Sequence, residues 1–277
     1  MFVLCGTFFH KKVNYRGSTG FGSRFLRIGL NGQFYQSLQN DIVDAATYAT
    51  KSANRKDQQL PWGDPERLAI LGSSFGGYSA LCGMTFYPGL YKCAVAICPI
   101  ASVGAANDQS KKSFGGSPLI AKYWRRVFGE EVTNNKKVAM NASPLYHLDK
   151  VCDGASIALY HGEKDPRAPV GHSYRVVDDL QQRDNSGVSG EFVTFSGEGH
   201  RISKEANVLY MYNRIEKFLC GQFGMMNALE KEESDILSDE WTKGNTASVK
   251  WFKKSGVAEG TSELGVIDGH SPSKKDQ

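Results

Sequence analysis

The sequence predicts an α/β fold in which helices cover both faces of a mostly parallel central sheet. Two observations lead to this prediction. Short apolar or β-branched runs of strand length alternate with longer segments of helical periodicity, and a glycine or proline follows each run within two residues. Consecutive parallel strands need a crossover between them, which the helical segments supply. The predicted strands are 67–71, 93–98, 156–160 and 191–195.

The helical segments lie where these crossovers require them. Apolar residues between positions 38 and 49 recur at helical spacing and predict an amphipathic helix before the first strand. That strand stops at Gly72, and a tightly packed helix is expected over 76–84. After the last strand, apolar positions between 207 and 220 again recur at helical spacing and predict a closing helix.

Composition excludes several classes of protein. The chain of 277 residues is 40% hydrophobic and 22% charged, which is typical of a globular protein with a large core. Its net charge of +4 is spread without a basic block, so no nucleic-acid partner is expected. No stretch reaches the roughly 18 apolar residues of a membrane helix, so no membrane partner is expected. The six cysteines form no C-x-x-C pair, which favours a reduced compartment such as the cytoplasm.

The two ends of the chain differ in character from its centre. Residues 1–9 are apolar, but they lack a basic start and are too short to span a bilayer. We therefore expect an α/β domain over 1–222 that is incomplete at its N-terminus, and a charged, disordered tail over 223–277. Two interpretations of the tail's aromatic residues stay open: a short helix or docking patch, or isolated side chains. These aromatic residues are Trp241, Trp251 and Phe252.

The strongest chemical signal is Gly72-Ser73-Ser74-Phe75-Gly76, a G-x-S-x-G motif between a predicted strand and a predicted helix. In this context the motif indicates a nucleophile elbow, a tight turn that exposes a serine hydroxyl at the edge of the sheet. Only Ser74 has glycine two residues before and two residues after it, so Ser74 and not Ser73 is the candidate nucleophile. The expected architecture is accordingly an α/β-hydrolase fold.

A serine hydroxyl needs a base to take its proton, and the base needs a carboxylate to orient it. In this fold they follow in the order serine, carboxylate, histidine, each after a strand. Asp165 lies 91 residues after Ser74, behind the strand at 156–160, and His200 lies a further 35 residues on, behind the last strand. Glu163 is a rival carboxylate, and the alternative role for Asp165 is a turn or helix cap.

The remaining histidines share no metal-ligand spacing, so a structural or solvated role is expected for each. Neither a metal nor an organic cofactor is therefore implied. These histidines are His10, His147, His161, His172 and His270.

Five motifs in a fixed order carry a resemblance to a known family. They are NYRGSTGFG at 14–22, GSSFGGY at 72–78, SPL at 143–145, HGEKDPR at 161–167 and GEGH at 197–200. Over about residues 13–221 the chain resembles the prolyl oligopeptidase family of serine peptidases, and in particular its acylaminoacyl-peptidase and dipeptidyl-peptidase branch. The resemblance implies that Ser74, Asp165 and His200 match the family's triad, and that the backbone N–H of Phe75 matches one oxyanion donor.

Two features that the family usually has are not found in the sequence. These are a β-propeller before the hydrolase domain and a His-Gly-Gly-Pro-like loop that supplies the second oxyanion donor. Three hypotheses follow: a serine peptidase acting on short peptides or acyl-peptides, an esterase of small acyl substrates, and a catalytically weak fragment. The fragment would act by association with another chain through a truncated N-terminal sheet edge.

Overall fold

A central sheet organises the computed structural model, which describes residues 2–5, 9–30, 32–51, 63–113, 122, 125–183, 187–225 and 246–252. Within these residues the sheet has seven strands in the order β2-β1-β3-β4-β5-β6-β7. Strands β3 to β6 are parallel, whereas β1, β2 and β7 pair antiparallel with their neighbours. The strands are β1 (Phe2–Cys5), β2 (Phe9–Lys12), β3 (Leu68–Ser73), β4 (Cys93–Ile97), β5 (Ser156–Gly162), β6 (Ser189–Phe195) and β7 (Ala247–Phe252).

Helices lie between the strands, as the sequence predicted. They are α1 (Gly22–Arg27), α2 (Ser37–Lys51), α3 (Phe75–Phe86), α4 (Val103–Ser113), α5 (Glu130–Asn134), α6 (Lys136–Asn141), α7 (Gly171–Gln182) and α8 (Glu205–Phe223). Short 3-10 helices span Gln33–Tyr35, Pro65–Arg67 and Pro144–Lys150. None of the helices in the described part of the chain combines the length and the apolar character that crossing a lipid bilayer requires.

The two faces of the sheet carry two separate apolar cores, because successive side chains of a strand point to opposite faces. On β5, Ile157 and Leu159 pack with residues of α2, α3 and α7 on one face. Ala158 and Tyr160 pack on the other face with residues of α8. Strands buried on both faces explain why the predicted runs are continuously apolar rather than alternating.

The parallel register brings the carboxyl ends of β3 to β6 to one edge of the sheet. Ser73 at the end of β3 pairs with Ile97 at the end of β4. Gly162 at the end of β5 pairs with Phe195 at the end of β6. The loops that follow these strands therefore start side by side, which is where open α/β sheets build their sites.

The expectation of a disordered tail over 223–277 is wrong for residues 247–252. These residues form β7, which pairs antiparallel with β6 and satisfies backbone groups that this edge strand would otherwise leave unpaired. Phe252 is only 3% exposed and joins the core that contains Ile157. A Cβ at Gly190 would lie 2.6 Å from the Phe252 ring, so this glycine leaves the space that the ring fills. Trp241 lies outside the described residues.

A buried histidine fixes the loop that follows β4. His172 of α7 accepts the backbone N–H groups of Ala101 and Ser102 at its Nδ1, both at 3.3 Å. Burial lowers the pKa of His172 from the ordinary 6.5 to about 4; Arg175 acts in the same direction, and Asp165 opposes it. The neutral ring is therefore the form that holds this loop.

We predict that Phe252→Ala lowers the free energy of unfolding by about 3 kcal/mol, because it removes a fully packed aromatic side chain. The matched control is Ser248→Ala, an exposed position on the same strand, which should change stability by less than about 0.5 kcal/mol. Urea unfolding of the full chain measures both variants. Equal stabilities would show that β7 is not docked in solution.

We also predict that acid weakens the fold through His172. Its folded pKa lies below its unfolded value, so its stabilising effect is complete above about pH 6.5 and is lost as the pH falls towards 4. The expected loss over this window is about 3 kcal/mol. His172→Asn keeps an acceptor near the Nδ1 position but does not titrate, so the variant should lose less stability between pH 6.5 and 4 than the native chain. An equal loss of stability between pH 6.5 and 4 in the native chain and in His172→Asn would contradict a stabilising role of neutral His172.

Candidate active site

Ser74 occupies a strained turn between β3 and α3. Its φ of 57° and ψ of −115° lie outside the regions that a non-glycine residue ordinarily adopts. The backbone on both sides stabilises the turn: the Ser74 N–H donates to the carbonyl of Ile97 at 2.8 Å, and the Tyr78 N–H donates to the Ser74 carbonyl at 3.0 Å. This geometry is that of the nucleophile elbow predicted from the motif.

The glycines around Ser74 are needed because the strand and the helix approach closely. A Cβ at Gly72 would overlap with the backbone of Gly76. A Cβ at Gly77 would lie 3.0 Å from the Ile97 carbonyl oxygen and from Pro99. Glycine at positions 72 and 77 is therefore a steric requirement of the turn.

The structure brings Ser74, Asp165 and His200 together. His200 Nε2 lies 2.7 Å from Ser74 Oγ, and His200 Nδ1 lies 2.7 Å from Asp165 Oδ2. Because a carboxylate only accepts hydrogen bonds, the Nδ1–H donates to Asp165, which leaves Nε2 to accept the Ser74 hydroxyl. The three side chains form one continuous hydrogen-bond chain from the elbow to a buried carboxylate.

The Asp165 carboxylate is buried, with 4% of the residue exposed, and fully hydrogen-bonded. Its Oδ1 accepts the backbone N–H groups of Arg167 at 2.8 Å and Ala168 at 3.0 Å. Burial by itself would raise the pKa of Asp165, but the hydrogen bonds from His161, from His200 and from these two N–H groups outweigh it and hold the pKa well below its usual range. Asp165 is therefore ionised beside His200.

His161 contributes to this environment, and sequence reasoning assigned it only a structural or solvated role. The ring is fully buried, with Nδ1 2.8 Å from Ser173 Oγ and Nε2 2.7 Å from the Ala168 carbonyl. The same Nε2 lies 3.4 Å from Asp165 Oδ2. Its place directly before Gly162, in the motif at 161–167, was a signal that did not distinguish it from a solvated histidine.

The rival carboxylate Glu163 lies elsewhere. Its side chain is exposed, and its Oε1 accepts a hydrogen bond from the Thr194 hydroxyl at 3.0 Å. It makes no hydrogen bond to His200 in the described part of the chain. Of the two carboxylates that the sequence left open, Asp165 is therefore the one that contacts the histidine.

The loops that carry Asp165 and His200 are joined to each other. The Lys164 N–H donates to the Glu198 carbonyl at 2.8 Å. A Cβ at Gly162 would overlap with the carbonyl oxygen of Gly199, so only glycine permits this approach. The contact between Lys164 and Glu198 fixes the separation of the two loops one residue before Asp165 and two residues before His200.

Glu198 is a buried carboxylate that sequence reasoning missed. Its oxygens accept hydrogen bonds from the Ser203 N–H and hydroxyl, from the Lys204 N–H and from Asn207 Nδ2, at 2.8 to 3.1 Å. Burial would raise the pKa of Glu198, but these hydrogen bonds lower it overall. The negative charge also lies beside the N-terminus of α8, where the helix dipole favours it. Glu198 thereby fixes the loop that contains His200.

The Phe75 N–H lies at the start of α3, directly after Ser74. It donates no hydrogen bond to any other described residue. At a helix N-terminus the dipole favours negative charge, so the group is suited to an anionic oxygen near Ser74. The Phe75 ring packs against Tyr15 and Tyr78, with centroids 5.9 and 5.5 Å away.

Cys98, Asp165 and His200 each offer a ligand atom within 4.8 Å of the others. His200 Nδ1 and Asp165 Oδ2 are 2.7 Å apart, whereas two ligands of a tetrahedral zinc ion lie about 3.3 Å apart at ordinary bond lengths. Burial also raises the pKa of the Cys98 thiol to about 12, which disfavours the thiolate that binds metal. The donor set therefore fits a hydrogen-bonded triad better than a metal ion.

Two relatives with similar sequences are named as peptidases. Dipeptidyl aminopeptidase BIII of Pseudoxanthomonas mexicana is 30% identical over 220 residues, which cover 76% of this chain and 28% of that protein. Dipeptidyl peptidase family member 6 of Caenorhabditis elegans is 29% identical over 219 residues, which cover 75% of this chain and 26% of that protein. The chain thus spans less than a third of the length of either relative.

Solved structures share the fold. A puromycin-hydrolysing peptidase of Mycobacterium tuberculosis superposes with a TM-score of 0.66 at 24% identity, over 77% of this chain and 29% of that one. The family model described as the prolyl oligopeptidase family matches residues 8–226, which is more than half of the chain. With its elbow at Ser74 and an α/β-hydrolase sheet, the chain belongs to the prolyl oligopeptidase family.

Proposed function

We propose that this domain is a serine-type peptidase that hydrolyses peptide bonds of short peptides through an acyl-enzyme on Ser74. One observation carries the proposal: the continuous chain of 2.7 Å contacts from Ser74 Oγ through His200 to Asp165 Oδ2. Family membership and the names of the peptidase relatives support it. In this proposal Ser74 is the nucleophile, His200 the general base and Asp165 the orienting carboxylate.

The first half of the reaction forms the acyl-enzyme. Ser74 Oγ attacks the carbonyl carbon of the scissile bond while His200 Nε2 takes the hydroxyl proton. Asp165 stabilises the imidazolium that forms and keeps the proton on Nδ1. His200 then gives its new proton to the leaving nitrogen as the C–N bond breaks, which releases the amine product.

The developing oxyanion needs donors that already point at it. The Phe75 N–H is the donor we assign, because it is adjacent to Ser74 and lies at the N-terminus of α3. Its position comes from the strained backbone of Ser74, so the nucleophile and the donor move as one unit. Mutagenesis of such donors in other enzymes typically costs about 10² to 10³ in turnover.

The second half returns the enzyme to its starting state. A water molecule takes the place of the departed amine, and His200 Nε2 accepts one of its protons as the oxygen attacks the acyl carbon. The new C–O bond forms, the bond to Ser74 Oγ breaks, and the proton returns from His200 to Ser74. The product is a free carboxylate, and no electrons are exchanged with any other group.

We propose short peptides or acyl-peptides as the substrates, and the names of the two dipeptidyl-peptidase relatives support the short peptides. The test is fluorophosphonate labelling with mass mapping, followed by turnover of dipeptidyl and acyl-aminoacyl p-nitroanilides and of p-nitrophenyl esters. Labelling at Ser74 with amide turnover supports the peptidase. Hydrolysis confined to esters would indicate an esterase, and no labelling at Ser74 would contradict both activities.

The triad predicts a non-additive loss of activity. Ser74→Ala should reduce turnover by about 10⁶-fold in a fully competent site, because the nucleophile is removed. His200→Ala in the same chain should add little to this loss, since the two groups act as a unit. Steady-state hydrolysis of a p-nitrophenyl ester measures both, with circular dichroism as the control for folding. If the loss in the double variant equals the product of the losses in Ser74→Ala and His200→Ala, the two residues act independently.

A second prediction concerns the pH dependence of hydrolysis. Activity should fall on acidification, because a protonated His200 could not accept the Ser74 proton. Asp165 should not contribute to this loss, since its hydrogen bonds hold its pKa well below the usual range. Initial rates of ester hydrolysis between about pH 5 and 9 measure the profile. A flat profile would rule out a histidine base.

A further inference from the structure

Thr246 lies outside residues 8–226, the part of the chain that matches the family model, yet it contacts the loop that carries His200. Its hydroxyl donates to the Ser196 carbonyl at 2.6 Å, and its carbonyl accepts the Ser196 N–H at 2.9 Å. Ser196 directly follows β6 and lies four residues before His200. A residue beyond the matched region therefore holds the start of this loop.

The same threonine binds a buried amide. The Thr246 N–H donates to Asn207 Oδ1 at 3.0 Å, and Asn207 Nδ2 lies 3.4 Å from the Thr246 hydroxyl oxygen. Asn207 is on α8 and has no exposed surface. Because solvent cannot replace a lost partner there, removing the Thr246 hydroxyl takes one acceptor from Asn207 Nδ2, whereas the bond from the Thr246 N–H to Asn207 Oδ1 is kept.

Asn207 carries the contact on to Glu198. Its Nδ2 donates to Glu198 Oε1 at 2.8 Å, and the carboxylate also accepts the N–H groups of Ser203 and Lys204. The bonds from Glu198 to Ser203 and Lys204 close the loop that contains His200. We call Glu198, Asn207 and Thr246 the clamp.

We propose that Thr246 is a positioning residue, which acts through the clamp to hold His200 at hydrogen-bond distance from Ser74. This inference rests on the proposed function, because it assigns His200 the role of base. His200 lies on a loop and is partly exposed, so its position depends on how that loop is anchored. Misplacement of a reacting group by about 1 Å can cost on the order of 10²-fold in rate.

The test uses the full chain and three variants. Thr246→Val removes the hydroxyl and keeps the branched shape, Thr246→Ser keeps the hydroxyl, and Ser248→Ala removes an exposed hydroxyl two residues further on, in β7. We expect Thr246→Val to lower kcat on a p-nitrophenyl ester by about tenfold while KM stays within about twofold. Thr246→Ser should restore turnover, and Ser248→Ala should match the native chain. Rates are expressed per active site, titrated with a fluorophosphonate.

A second measurement does not depend on activity. Hydrogen exchange of the Ser203 and Lys204 amides, both bound by Glu198, should be faster in Thr246→Val than in Ser248→Ala. Should Thr246→Val fail to fold, Thr246→Ala replaces it under the same criteria. Turnover and exchange equal to those of Ser248→Ala would overturn the positioning role. An absence of Ser74-dependent turnover in the native chain would instead overturn the proposed function, and the exchange result would still decide whether the clamp orders this loop.

Discussion

The parallel register of β3, β5 and β6 is the constraint on which the site depends. It makes the strands end at one edge, so the elbow at Ser74 and the loops of Asp165 and His200 leave the sheet as neighbours. A slip of one residue in any strand would turn its side chains to the opposite face, so each of them would leave one apolar core for the other. The energy that opposes such a slip comes from the burial of both faces, because every residue of β5 is buried.

The register makes the loops of Asp165 and His200 neighbours, and short-range contacts then fix the separation of these loops. Gly162 permits the loop after β5 to touch the loop after β6, and the Lys164 N–H then bonds the Glu198 carbonyl. The two buried carboxylates near these loops are held ionised by hydrogen-bond donors. Asp165 contacts His200, which it orients in the proposed mechanism, whereas Glu198 binds the backbone of the residues that follow it.

Backbone strain is concentrated at the same edge of the sheet. Among the described non-glycine residues, only Ser74 and Cys98 have positive φ. Both follow the ends of neighbouring strands, and each donates its N–H to the next strand along: Ser74 to the Ile97 carbonyl and Cys98 to that of Tyr160. Strain of this kind costs about 1 to 3 kcal/mol per residue and persists only where the surrounding structure holds it. The buried cores on both sides of the sheet supply that support.

The sequence by itself determined the α/β class, the central strands and the elbow, because periodicity and glycine spacing are local properties of the chain. It also placed Asp165 and His200 in the order that the fold requires. The family resemblance favoured Asp165 over Glu163, but only the tertiary structure shows which of the two carboxylates contacts His200, because both lie in one loop and the path of that loop sets where each side chain lies. The contacts of Thr246 were likewise undetermined, because they join residues 39 and 50 positions apart. The partners of His161 and Glu198 are only 4 to 12 positions away, but which of them each side chain reaches depends on how the loops turn. Strand β7 was also not predicted, because its charged surroundings suggest disorder and its pairing partner β6 is distant in sequence.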